Sequence, residues 1–370
     1  MCKRCAAWLL ALLLTLSLAS CGRLEEPEDD GKLQVVATLF PYYDIARAIA
    51  GDKIHLSLLV SAGRESHSYE PTPLDIIDIS RADLFLYNGG TDETWATEIL
   101  ATTEHGMAIP MLEQVEKHEE EMVEGMQADR GHGHSHEEES CEDPEHDHEV
   151  EASHDEETCV DDSHDHDHNK ETEHKEDPSH EHEHEEDDGH AHEIEYDEHI
   201  WTSPVNVMTI AKVTAEALAE LDSANADYYM ANLEQYLVEL EKLDAALRDV
   251  VSHGQRNLIV LADRFPLLYL CKEYGLDYRA AFLGCSTETE PSAATMAYLI
   301  DRVREEQIPC VYYLENSSGL VADAIAEATD AEPCLIYSCQ TISTVDFRAG
   351  ETYLSLMWRN VDALKKGLNG

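Results

Sequence analysis

Residues 131–192 cannot build a core, and that one fact fixes how the rest of the chain has to be arranged. These 62 residues hold 15 of the 21 histidines, and 26 acids against two lysines. The runs include His132-Gly133-His134-Ser135-His136, His164-Asp165-His166-Asp167-His168 and His180-Glu181-His182-Glu183-His184, with His190 and His192 at the end. So few side chains suit an interior that the tract is expected to be a disordered insert. An acidic linker has no need of imidazole. Imidazole is the commonest side-chain ligand for zinc, copper and nickel, and neighbouring carboxylates raise the local cation concentration. The tract is therefore expected to collect divalent transition metals weakly, on the histidines named above.

His180 to His184 also satisfies the H-E-x-x-H template of zinc proteases, which needs both histidines on one face of a buried helix. No apolar residue lies near enough for such a helix to pack on. The match is an accident of low complexity, and no enzyme activity is expected.

The formal net charge is −53. Even without the tract the balance is strongly acidic, which excludes a nucleic-acid binder, because phosphate contacts need a basic face. Cations are the expected partners. The first residues, Met1-Cys2-Lys3-Arg4, are basic, and the apolar run Ala6–Leu18 is short for a bilayer span. Leu18-Ala19-Ser20-Cys21 resembles a bacterial lipobox and is followed by the acidic spacer Glu25–Gly31. The expectation is a signal peptide over 1–20, lipid on Cys21, a tether over 21–32, and a protein held on the outer face of the cytoplasmic membrane. Seven cysteines follow Cys21. Cys141 and Cys159 fall in the tract, and Cys271, Cys285, Cys310, Cys334 and Cys339 in the second half, with pairing not readable from sequence.

On either side of the tract, short apolar runs alternate with amphipathic segments. Strands are expected at Leu33–Leu39, Ile54–Val60 and Leu84–Tyr87, with helices at Tyr42–Ala50 and Pro73–Arg81. After the tract, Val205–Leu221 reads as a helix. Tyr229–Val251 follows as a long one, with Leu233, Leu237, Leu240, Leu243 and Leu247 at spacings of three and four. The alternation then resumes with strands Asn257–Ala262, Asp277–Phe282, Cys310–Leu314 and Cys334–Tyr337. The helices between and after them are Pro266–Tyr274, Ser292–Glu306, Leu320–Thr329 and Thr352–Lys366. Strands separated by helices imply parallel sheets with right-handed crossovers. The predicted fold is α/β, with two lobes, each a parallel sheet flanked by helices, joined by one long rigid helix. The N-terminal lobe is expected over 33–204, interrupted by a disordered loop over 116–195. Helices including the linker follow over 205–254, and the C-terminal lobe over 255–370. Ligands of open parallel sheets bind beyond the carboxyl ends of the strands, so two facing lobes make a cleft there.

Two histidines fall where that cleft would be. His67 lies in Gly63-Arg64-Glu65-Ser66-His67-Ser68-Tyr69-Glu70-Pro71-Thr72-Pro73, and His199 in Asp197-Glu198-His199-Ile200-Trp201-Thr202-Ser203-Pro204. Both segments resemble the first two ligand motifs of the zinc and manganese solute-binding lipoproteins of ABC importers. In zinc members of that family a His- and acid-rich loop separates the two motifs, as here, and Tyr313-Leu314-Glu315-Asn316-Ser317 fits as well. The resemblance implies one metal buried between the lobes, Zn2+ with Mn2+ as the alternative, and delivery to the permease and ATPase subunits of an importer by a monomeric carrier. In the second lobe the pattern breaks. Ala262, in Ala262-Asp263-Arg264-Phe265-Pro266, stands where the family has its third ligand, and Tyr337-Ser338-Cys339-Gln340 offers no carboxylate for the fourth. Two histidines do not close a tetrahedral zinc site. The substitutes are Asp263 first, because it adjoins the vacated position, then Glu288 or Glu290, Glu65, a Cys339 thiolate, water, or a histidine of the tract. Cys285 and Cys339 both follow strands and are expected to face the cleft, with a disulfide between them as the other reading. The rival functions are a surface metal buffer or adhesin and an extracellular metalloenzyme.

Overall fold

A computed structural model describes residues 30–126, 195–286 and 290–369. All of these belong to one compact unit; the second unit, Gly131–Glu193, lies outside the described residues. So do Cys21, Glu288 and every tract histidine named above.

The N-terminal half contains β1 (Leu33–Ala37), α1 (Phe40–Ala50), β2 (Ile54–Leu58), α2 (Pro73–Arg81), β3 (Leu84–Tyr87), α3 (Thr94–Thr102) and β4 (Met107–Pro110). Two helices follow the tract, α4 (Pro204–Leu221) and α5 (Ala226–Ser252). The C-terminal half contains β5 (Leu258–Arg264), α6 (Leu268–Tyr274), β6 (Asp277–Phe282), α7 (Ala293–Glu305), β7 (Cys310–Leu314), α8 (Leu320–Ala328), β8 (Glu332–Ile336), α9 (Thr344–Ala349) and α10 (Tyr353–Asn369). Each half forms a four-stranded parallel sheet. The orders are β2-β1-β3-β4 and β6-β5-β7-β8, the same topology twice. In both sheets the order reverses beside the first strand, so the crevices open at the carboxyl ends of β1 and β3 and of β5 and β7.

The expected two-lobed α/β architecture is thus present. The long helix α5 buries Tyr229, Leu233, Tyr236, Leu240, Leu243, Leu247 and Val250, a heptad-like stripe. It packs on α1 and α4 on one side and on α6 and α10 on the other, which makes it the shared wall of both lobes. Local chemistry sets the helix starts. Thr72 and Asp75 form a capping box ahead of Pro73, and Ser203 caps α4 ahead of Pro204.

Three elements were not expected from the sequence. Strand β4 is four residues long, lies at the sheet edge and ends in Pro110, which has no amide to donate, so it carries little strand signal. Helix α3 has no side-chain cap, and the six-residue α9 buries nothing. The range expected to be disordered was also too wide. Residues 116–126 and 195 are folded onto the unit, with Glu119 and Tyr196 in an antiparallel bridge and the His118 carbonyl accepting from the Asp197 amide at 3.0 Å. That pairing joins the described segments on either side of residues 127–194.

Candidate metal centre

His67 sits on the loop after β2, with its side chain almost fully buried. Its Nδ1 is 2.5 Å from Asp92 Oδ2. His199 begins a single 3-10 turn, Ile200–Thr202, and is 0% exposed. Asp197 Oδ1 accepts from the His199 amide at 2.9 Å and lies 3.3 Å from its Nδ1. The other face of the ring meets the Trp201 indole edge-on, with centroids 5.6 Å apart. Each imidazole therefore has a carboxylate on its Nδ1 side, which fixes the ring and directs Nε2 elsewhere. His199 Nε2 is buried and has no hydrogen-bond partner, an arrangement that is costly unless something else takes the lone pair. The two rings are neighbours, with centroids 5.7 Å apart and planes tilted by 57°.

The turn that supplies Asp92 is built for this. Asn88-Gly89-Gly90 follows β3, and both glycines have positive φ, +81° and +83°. A Cβ on Gly90 would run into the Glu198 carboxylate, so this position requires glycine on both counts. Glu198 points away from the imidazoles and accepts from the Thr91 amide and hydroxyl and the Asp92 amide, at 2.5, 2.9 and 3.1 Å. It thereby ties the His199 segment to the Asp92 turn. Burial, then the nearby Asp92 charge, pushes its carboxyl up to about 7. Glu93 accepts from the Asn88 and Gly89 amides at 2.6 and 3.1 Å, and burial pushes it up to about 8. For His199, burial works against the charged form, but Asp197, Asp92 and Glu198 outweigh it and raise the pKa above its ordinary value.

From the second lobe, Asp263, Glu315 and Gln340 line a cavity of about 240 Å³ together with Glu65, His67 and His199. Asp263 lies inside β5 and does not cap α6; its Oδ1 accepts from the Arg264 amide and its Oδ2 is buried without a partner. Glu65 is committed elsewhere, paired with Arg264 at 2.9 Å, and Arg264 and His67 hold its carboxyl below the ordinary value although burial opposes them. Glu315 is committed too, accepting from the Ser338 amide and hydroxyl and the Cys339 amide at 2.8, 2.8 and 3.0 Å. It holds the turn after β8, where Cys339 adopts φ +58°. Glu290 is exposed. Cys285 and Cys339 are both free thiols, so no disulfide joins them.

One group went unread in the sequence. A nitrogen of His67, an oxygen of Asp92 and the Cys285 thiol lie within 4.8 Å of one another. Asp92 was missed because only the fold brings it to a histidine 25 residues earlier. Its one local signal is its place in the glycine turn after β3.

Two parallel α/β lobes sharing one long helix, with a cleft that presents two oriented imidazoles, define a solute-binding protein of the two-lobed kind. The family model described as zinc-uptake complex component A, periplasmic (ZnuA) matches residues 35–367, and the chain belongs to that family. It is 29% identical over 357 residues to the high-affinity zinc uptake system protein ZnuA of Bacillus subtilis, covering 95% of this chain and 94% of that protein. It is 27% identical over 358 residues to the zinc-binding lipoprotein AdcA of Streptococcus pneumoniae, covering 97% of this chain but only 60% of the longer relative. Among solved structures, the metal-dependent lipoprotein YcdH of Bacillus subtilis superposes with a TM-score of 0.65 at 25% identity, over 91% of this chain and 99% of that one. The Zn(II)-bound ZnuA-like domain of S. pneumoniae AdcA superposes with a TM-score of 0.63 at 23% identity, over 92% and 100%, which bears on the fold alone.

Proposed function

We propose that this chain is an extracytoplasmic lipoprotein that captures Zn2+ in the cleft between its lobes and hands it, as a monomer, to an ABC permease and its ATPase. The observation that carries the reading is the buried, unpartnered Nε2 of His199, on a ring whose centroid is 5.7 Å from that of His67, with Asp197 and Asp92 at the Nδ1 atoms of the two imidazoles. Carboxylate, imidazole and metal in line is the usual outer-shell arrangement at zinc. Imidazole donors favour zinc over manganese, which prefers oxygen. Names of uptake and binding proteins among the relatives support a binder rather than an enzyme.

His67 and His199 are the primary ligands in this reading. Asp263, with its spare buried oxygen in the same cavity, stands beside them. The tract between residues 131 and 192 collects zinc weakly, and its attachment at Glu119 and Tyr196 raises the effective zinc concentration close to its own anchor points. Lipid on Cys21 anchors the chain, and among the described residues no helix is long and apolar enough to cross a membrane.

The test is zinc stoichiometry by metal analysis and chelator competition on the full chain, on a variant lacking 131–192, and on His67→Ala. Deletion of the tract should remove only weak zinc, and His67→Ala should remove one tight equivalent. A tight site that survives His67→Ala contradicts the assignment.

A further inference from the structure

Two imidazoles leave a tetrahedral zinc ion two ligands short. Of the carboxylates that line the cavity, Glu65 is taken by Arg264 and Glu315 by the turn after β8, which leaves Asp263, with its unpartnered Oδ2, for one of the two places and the other open. Resting on the cleft being a zinc site, we propose that the Cys285 thiolate, on the loop leaving β6, is the third protein ligand alongside His67 and His199.

The geometry converges on that residue from three directions. The Cys285 thiol lies within 4.8 Å of a His67 nitrogen and an Asp92 oxygen. Donors sharing one tetrahedral zinc at about 2.0–2.3 Å sit roughly 3.3–3.8 Å apart, a spacing that the separation of the thiol from His67 approaches. The preceding residue lies beside the second imidazole, since a Cβ added at Gly284 would fall 3.1 Å from His199 Cε1, the carbon next to the unpartnered Nε2. The Cys285 amide is held by Glu120 Oε1 at 3.3 Å, which fixes the loop at that residue. The 284–285 turn thus abuts both histidines at once, and any side chain on residue 284 would meet the His199 ring.

Carboxylates surround the thiol: Asp92 lies within 4.8 Å of it, and Glu120 holds its amide. On binding, the S–H bond breaks, a Zn–S bond forms and the proton leaves to solvent, so the dication replaces the proton as the partner of these acids. A sulfur donor also sharpens selection, because manganese and magnesium gain little from thiolate.

The experiment is zinc-edge X-ray absorption on full-length protein carrying Cys141→Ser and Cys159→Ser, so that no tract thiol contributes, loaded with half an equivalent of zinc. One sulfur at about 2.3 Å with nitrogen at about 2.0 Å is expected. Adding Cys285→Ala should abolish the sulfur and weaken zinc binding by about 100-fold or more, beyond the 10- to 100-fold typical of losing an outer-shell partner. A shell of nitrogen and oxygen alone, in a protein whose spectrum changes with His67→Ala, overturns the thiolate ligand and leaves the cleft site standing. The same shell unaltered by His67→Ala or His199→Ala overturns the cleft site as well. Sulfur that persists after Cys285→Ala also overturns the proposal. The first measurement keeps Cys285 intact, so it does not depend on the variant folding.

Discussion

The two halves of the cleft are built on the same strand order and yet present unlike chemistry. On the N-terminal side, each imidazole has its own carboxylate, and Glu198 and the Gly89-Gly90 turn hold the segment that carries Asp92. On the C-terminal side, the strand ends offer Ala262, a half-used Asp263, a committed Glu315 and a free thiol. A repeated scaffold places residues at equivalent positions without fixing what they do, because the loops at the strand ends carry the chemistry. Here one lobe carries two imidazoles held by carboxylates, and the other offers few uncommitted polar groups of its own.

Removing the preorganised side should do the most damage. His199→Ala deletes the orphaned donor and should cost about 1,000-fold or more in zinc affinity, read by chelator competition, since little in the opposite lobe can replace a nitrogen ligand. Replacing the supports instead of the ligands grades the effect: Asp92→Asn and Asp197→Asn each keep the shape but lose the charge that orients an imidazole, for about 10- to 100-fold. If these two variants bind as tightly as the parent, the N-terminal side is not preorganised in this way. Gly90→Ala should lower stability by about 1–3 kcal/mol in thermal or denaturant unfolding, because it strains a positive φ and drives a methyl into Glu198. The smallest effect is expected at one exposed contact between the lobes: Arg264→Ala, which breaks the half-exposed pair with Glu65, should change stability by no more than about 1 kcal/mol.

Two buried acids bonded to the 88–92 turn also set a pH dependence for the metal-free protein. Glu93 and Glu198 have folded pKa values raised to about 8 and about 7, against an ordinary 4.5. A raised carboxyl binds its proton more tightly in the folded state than in the unfolded one, so the contribution to stability is greatest below the ordinary value and is lost as pH rises through the folded value. Denaturant midpoints should therefore fall between about pH 4.5 and pH 8, and Glu93→Gln should flatten that slope. A slope of opposite sign, or one unaltered in Glu93→Gln, would contradict the burial of these two acids.

Much of the scaffold could be read from apolar periodicity. The stripe along α5, the capping signal at Thr72-Pro73 and the short buried strands carry their structure in local sequence. Strand β4 and helix α9 do not, since one ends in proline at an edge and the other buries nothing. The same division holds in the site. His67 and His199 stand in contiguous motifs, whereas Asp92 meets His67 only through the pairing of β1 with β2 and β3. Glu65, a candidate ligand from its position, spends its charge on Arg264 from the other lobe, which no window of sequence could reveal. Cys285 was legible as a cysteine following a strand, but its closeness to His67 needed three dimensions.

The most direct measurement is anomalous diffraction at the zinc edge from crystals of the zinc-loaded protein. The account predicts a single strong peak in the cleft, about 2.0–2.1 Å from Nε2 of both His67 and His199. A tightly bound zinc elsewhere, with the two imidazoles left uncoordinated, would contradict it.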